Sequence, residues 1–171
     1  MIKKNNLIET LNQKKISFVE HEHEALFSVE DSTQNRGSIE GAHTKNLFLK
    51  NKKNIFYLFS CEEKSTVDLK RFSKSINAGN LSFARKEYLY KYMKIEPGSV
   101  SPYGLLNDLD NTIEFLLEYE LYKSNKINFH PLVNTSTITL KTSDFIEFMV
   151  ENKKKITIFS LESNKITKVI Q

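Results

Sequence analysis

The chain has 171 residues, 39% hydrophobic and 27% charged, with a net charge of +4; this is enough for one domain with a proper core and close to ordinary globular composition. No apolar run approaches the roughly 20 residues of a membrane span, and the opening "MIKKNNLIETLNQKK" has no apolar stretch of the signal-peptide kind. A single cysteine, Cys61, excludes an intrachain disulfide and suits a reducing compartment, which here means the cytoplasm.

In chain order, Asn6 followed by Glu9 reads as a capping box, opening a short helix to about Gln13 with Leu7, Ile8 and Leu11 on one face. The alternation in "ISFVEHE" predicts a strand. Ser28 with Asp31 predicts a second helix ending near Gly37. Residues 44–50 and 55–60 form a predicted hairpin around a polar turn at 51–54. Thr66 is the expected cap of a helix from Val67 to about Ser75. "AGN" breaks the chain, "LSF" is a short extended piece, and residues 86–93 read as a helix. "TIEFLLE" (112–118) and "STITL" (136–140) read as strands; Thr142 is expected to cap the last helix, and "KITIFSL" (155–161) to close the sheet. Helices and strands mix without strict βαβ alternation, which predicts an α/β or α+β domain with a mixed central sheet flanked by helices. No repeat or linker divides the chain. The expectation is one domain over 1–171, with residues 163–171 an extension of unassigned role.

Charge is uneven. Residues 1–100 hold 17 Lys/Arg against 12 Asp/Glu, and residues 101–171 hold 8 against 9. An excess in the first part suits an anionic partner such as RNA, and equally a solvated surface in a Lys-rich composition. Three prolines and five glycines serve the whole chain, yet two of each fall in "PGSVSPYG" (97–104). A loop built from both is shaped, because Pro fixes φ and Gly admits unusual φ. It is either a rigid turn or a cradle that aims backbone groups at a ligand. His130 precedes Pro131 and is biased to an extended conformation; it is either a structural histidine or a group that exchanges protons near neutrality. Lys45 sits in register with Leu47 and Leu49 on one strand face. It either snorkels to solvent or holds its ammonium at a pocket mouth, where phosphate or a developing oxyanion would meet it. His21, His23 and His43 offer no spacing of a zinc site, and no P-loop, dinucleotide-binding glycine pattern or GxSxG is present.

Five stretches in order, "GAHTKNLFLKNKK", "VDLKRF", "LSFARKEYL", "EPGSVSPYGLLND" and "NFHPLVNTSTITL", resemble the family of YbaK and the prolyl-tRNA synthetase associated domain. Within it they are most similar to the freestanding branch that deacylates alanyl-tRNA(Pro). The resemblance runs from about residue 5 to 160. It implies a mixed α/β fold and trans-editing hydrolysis of alanine misattached to proline tRNA, with no metal and no cofactor. It places Lys45 at the family's important lysine, Gly98 and Pro102 in its GxxxP substrate loop, and His130 in the amino-acid pocket. Ser101 and Gly104 belong to the same loop as candidate substrate-binding groups. Asn46 is a further candidate, although strand alternation points it away from Lys45. Phe27 is a candidate pocket wall, or an ordinary core aromatic. With no obvious protein nucleophile, the expected attack is by water assisted by the ribose hydroxyl of the substrate, and the face of Lys45, Leu47 and Leu49 becomes the pocket floor at its open end. Mischarged tRNA(Pro) is the expected partner, with transient contact to prolyl-tRNA synthetase or an elongation factor, and the expected state is a monomer. The alternatives are a cysteinyl-tRNA(Pro) deacylase, a non-catalytic tRNA- or synthetase-binding module, and a nonspecific RNA-binding protein.

Overall fold

The structure is a computed structural model that describes residues 1–25 and 38–171. The helix expected from Ser28 and the side chain of Phe27 lie outside the described residues. The order is α1 (Lys4–Gln13), β1 (Phe18–Glu22), β2 (Thr44–Asn51), β3 (Phe56–Glu62), α2 (Leu69–Ser75), β4 (Leu81–Phe83), α3 (Lys86–Tyr88) running into a π-helical turn (Leu89–Met93), a 3-10 helix (Pro102–Asn107), β5 (Ile113–Glu118), α4 (Tyr119–Lys123), β6 (Lys126–Phe129), β7 (Ser136–Lys141), α5 (Thr142–Glu151), β8 (Ile156–Ser160) and β9 (Lys165–Ile170).

Six strands form the main sheet in the order β4-β2-β3-β5-β8-β9. Its centre, β3-β5-β8, is parallel, while β2, β4 and β9 pair antiparallel toward the edges. Three strands, β1-β7-β6, make a second, antiparallel sheet. The two sheets meet where Ala42 bridges Ile127 and where the Thr44 hydroxyl donates to the Asn128 carbonyl at 2.8 Å. The expected mixed sheet with flanking helices is therefore present, with the smaller sheet beside it.

Strand parity sorts the core. Phe48, Phe56, Leu58, Phe115, Leu117, Ile156 and Ile158 face the larger cluster, which α1, α5 and the 3-10 helix complete. Leu49, Tyr57, Phe59, Cys61, Leu116 and Phe159 face a smaller cluster closed by Phe72 of α2. Phe72 stacks on Phe59 at 4.6 Å and meets Phe159 edge-on at 4.9 Å, geometries that favour aromatic pairs.

Several boundaries differ from expectation. Asn6 is not the first cap: α1 begins after Lys3, and the Asn6 carboxamide reaches back to the Lys3 N–H at 3.1 Å from inside the first turn. Asp68, not Thr66, caps α2, accepting from the N–H groups of Lys70 and Arg71 at 2.9 and 3.0 Å. Thr142 is the first helical residue of α5 rather than its cap. The segment 86–93 winds into a π-helical turn that ends on Lys94 at φ 56°. Strand β8 does not close the sheet, because β9 pairs along it and supplies the edge.

Candidate functional site

Both halves of the candidate site lie at one end of the main sheet. Parallel strands β3 and β5 end there, and antiparallel β2 begins there. Carboxyl ends of parallel strands are the usual place for ligands in such sheets, since the chain must leave and turn. Lys45 and Asn46 are consecutive on β2, so the strand period sends them to opposite faces.

On the face of the smaller cluster, Lys45 lies across from Cys61 of β3, and its ammonium donates to the Ser65 carbonyl. Glu118, at the end of β5, is only 3% exposed. Its carboxylate accepts from the Glu62 N–H at 2.6 Å and from the Ser65 hydroxyl at 3.0 and 3.1 Å. Burial raises the Glu118 carboxyl above its ordinary value, against those two hydrogen bonds. Burial also pushes the Cys61 thiol up to about 12, with the Lys45 charge acting the other way. Cys61 is thus a protonated, buried thiol, and a nucleophile needs the thiolate.

On the other face, the Asn46 amide donates to the Val100 carbonyl at 2.9 Å and its oxygen accepts from the Ser60 hydroxyl at 2.6 Å. Asn46 therefore ties the segment 97–104 to β2. In that loop Gly98 takes φ 87°, a conformation that penalises any side chain. The N–H groups of Ser99, Tyr103 and Gly104 are spent on Glu96, Ser101 Oγ and the Ser101 carbonyl, and the two prolines have none. Gly98 and Val100 are half-buried, and neither their N–H groups nor that of buried Ser101 is taken up by another backbone group among the described residues.

Ser101, Pro102 and Gly104 form the buried end of the loop, where it enters the 3-10 helix. A Cβ on Gly104 would stand 2.7 Å from Met93 Cε and 3.0 Å from Met93 Cβ, so a side chain there would force Met93 to shift. These three residues anchor the loop to the core.

His130 follows β6. Its Nδ1 lies 2.8 Å from the Ser136 carbonyl; a carbonyl only accepts, so Nδ1 carries the proton and Nε2 the lone pair. Burial lowers its pKa, the Ser136 hydrogen bond opposes this, and nearby His23 adds to the lowering. The two rings are 5.8 Å apart. His23 is itself held, by Glu24 O at 2.8 Å and the Thr137 hydroxyl at 2.9 Å. No group of three or more His, Cys, Asp or Glu among the described residues is arranged for a metal.

The structure thus brings Asn46 to the 97–104 loop and keeps His130 near His23 and Thr137. Lys45 leaves the opposite face of β2 from Asn46, and its ammonium meets the Ser65 carbonyl. Sequence parity anticipates the separation of Lys45 and Asn46. It does not anticipate that Leu49 is buried against Phe72 of α2 with Leu47 packed beside it. Sequence reasoning also misses Ser60, Ser65, His23 and Glu118. The last has a visible signal, a carboxylate closing the apolar run of β5. A cavity of about 760 Å³ adjoins both loops, lined in part by Ser99, Leu132, Asn134, Lys3 and Lys94.

The fold matches solved structures. One, assigned provisionally as a trans-editing enzyme for prolyl tRNA synthetase, superposes with a TM-score of 0.65 over 92% of this chain and 97% of that one, at 16% identity. Sequence goes further. Residues 23–148 match the model of the aminoacyl-tRNA editing domain. Prolyl-tRNA editing protein ProX of Acetoanaerobium sticklandii is 31% identical over 152 residues, 87% of this chain and 92% of that protein. Prolyl-tRNA synthetase associated domain-containing protein 1 of Bos taurus is 30% identical over 148 residues, 84% of this chain and 86% of that protein. The chain belongs to the aminoacyl-tRNA editing domain family, and its class is that of the tRNA-deacylating hydrolases.

Proposed function

We propose that this protein is a trans-editing deacylase that hydrolyses the ester of alanine wrongly attached to proline tRNA. The observation that carries the reading is the division of labour at the start of β2, where Lys45 offers a cation at the sheet end and Asn46 fixes the Val100 carbonyl of the loop. Similarity to a prolyl-tRNA editing protein over most of both chains supports the tRNA.

Ester hydrolysis builds negative charge on the carbonyl oxygen, and fixed donors aimed there lower the barrier. Lys45, released from the Ser65 carbonyl, reaches around the open end of the sheet to the oxyanion or the terminal phosphate. The N–H groups of Gly98 and Val100 hold the ribose and carbonyl, over a floor shaped by Ser101, Pro102 and Gly104. Neutral His130 lines the amino-acid pocket with its Nε2 lone pair. The cavity beside the two loops, with Lys3 and Lys94 at its margin, receives the nucleotides that precede the terminal adenosine. The attacking group is water, directed by the vicinal ribose hydroxyl. A pocket that admits alanine excludes the proline ring sterically, since a single methylene is worth only about 1–3 kcal/mol in an apolar site.

The reading carries a single editing domain over residues 1–171, working as a cytoplasmic monomer in transient contact with prolyl-tRNA synthetase. No described helix is long and apolar enough to cross a membrane. The test is deacylation of alanyl-, cysteinyl- and prolyl-tRNA(Pro), with alanyl-tRNA(Ala) as control. Loss of alanine from the proline tRNA alone, abolished in Lys45→Ala, supports the proposal. Release of cysteine instead overturns the specificity, and release of neither, with tRNA still bound, favours a binding module.

A further inference from the structure

We infer that Glu118 is a positioning residue for Lys45, acting as a buried brace through the Ser65 carbonyl. The inference rests on the functional reading above, because it matters for turnover only if Lys45 acts there.

Three facts converge. Glu118 occupies the end of the central strand β5, at a position whose even-numbered neighbour Leu116 packs in the same cluster as Cys61. Its carboxylate takes the Glu62 N–H and the Ser65 hydroxyl together, so both ends of the turn after β3 are clamped to β5. The same turn presents the Ser65 carbonyl to the Lys45 ammonium. Lys45 and Glu118 also act with opposite sign on the Cys61 thiol that lies between them on this face.

Burying a carboxylate is costly, and a surface hydroxyl or amide would have served to shape an ordinary turn. Here the cost is offset by the two donors that the carboxylate accepts from, and their effect is to fix the turn whose carbonyl meets the Lys45 ammonium. An ammonium held by one backbone carbonyl is poised rather than locked, since substrate oxygen can replace that carbonyl without leaving a charge unpaired. Misplacing a catalytic group by about 1 Å costs on the order of 100-fold in rate, so the brace has ample leverage.

Glutamine at 118 preserves the geometry: its oxygen accepts from the Glu62 N–H, and its amide donates to the Ser65 hydroxyl. Alanine removes both contacts. The experiment therefore compares Glu118→Gln, Glu118→Ala and Ser65→Ala in steady-state deacylation, alongside the Cε–Hε cross-peak of Lys45 in protein carrying 13C-labelled lysine, assigned by its loss in Lys45→Arg. Glu118→Ala is expected to lower kcat by about 10- to 100-fold with KM for the tRNA unchanged and to shift the Lys45 cross-peak. Glu118→Gln is expected to keep most of the wild-type kcat and the wild-type cross-peak. Ser65→Ala, which keeps the carbonyl and loses only the hydroxyl, gives a smaller loss in the same direction and serves if Glu118→Ala does not fold. An unmoved Lys45 cross-peak in both Glu118→Ala and Ser65→Ala overturns the brace, as does a loss in Glu118→Gln equal to that in Glu118→Ala. A shifted cross-peak in a protein without deacylase activity leaves the brace standing and overturns the functional reading instead.

Discussion

Asn46 holds the Val100 carbonyl while its neighbour Lys45 holds that of Ser65, so two consecutive residues of one strand grip two different loops on opposite faces of the sheet. The half-buried amide has both of its ends engaged, by Val100 and by Ser60. Replacing it with alanine leaves a carbonyl and a hydroxyl unpaired. Asn46→Ala is expected to cost about 1–3 kcal/mol of stability and to lower kcat by loosening the 97–104 loop. Asn46→Asp accepts from Ser60 but sets a carboxylate against the Val100 carbonyl, and is expected to be worse in turnover. Urea denaturation and steady-state kinetics of the two variants check both statements.

His130 sets an expected pH response. Its folded pKa lies below the ordinary 6.5, so the unfolded chain takes up a proton first as pH falls. The stability it contributes is full above about 6.5, declines as pH drops toward the folded value, and is constant below it. Turnover that uses the neutral ring should therefore hold through pH 6.5 and fall only on the acid side of it. A pH–rate profile of kcat/KM against that of His130→Gln, which cannot titrate, isolates the limb. An acid limb unchanged in the variant would assign it elsewhere.

Cys61 should be inert in the folded protein. With its thiol pushed up to about 12 and its side chain fully buried, the thiolate fraction at neutral pH is negligible. Reaction with a disulfide reagent is expected to be slow in the native state and to become fast in denaturant. Cys61→Ala is expected to retain deacylation, at a stability cost of about 1 kcal/mol for the lost packing. Abolished turnover in a folded Cys61→Ala would restore covalent catalysis as a possibility.

Tyr103 offers a stabilising substitution. It is fully buried among Phe129, Phe145 and Phe148, and its hydroxyl finds no hydrogen-bond partner among the described residues. Burial accordingly raises its pKa far out of reach. Removing an unsatisfied buried hydroxyl recovers its desolvation cost, so Tyr103→Phe is expected to gain about 1–3 kcal/mol. A lowered thermal midpoint would mean that the hydroxyl has a partner in solution, such as an ordered water.

Much of this was legible in the residues because strand parity is a strong signal. The 44–60 hairpin, the strands at 113–118, 136–141 and 156–160, and the opposed directions of Lys45 and Asn46 all follow from a period of two. Helix starts were harder. Asn6 and Thr66 are good capping types, yet Lys3 and Asp68 begin the helices, since where the first apolar residue meets the core decides the start. Strand β6 is four residues long and carries little alternation, and the π-helical turn has no composition cue. The contact of His23 with Thr137, and the brace from Glu118 to Ser65, join residues 114 and 53 positions apart. Such meetings are products of topology that no local pattern encodes.

The last strand has a consequence for handling the protein. Every residue of β8 is buried, and β9 covers its flank with a row that mixes Lys165 and Lys168 among exposed Ile166 and Val169. Lysines along an outer strand discourage a second chain from adding on. Removal of residues 165–171 would present the unprotected apolar rim of β8 to its neighbours, so a shortened protein should precipitate at concentrations the full chain tolerates.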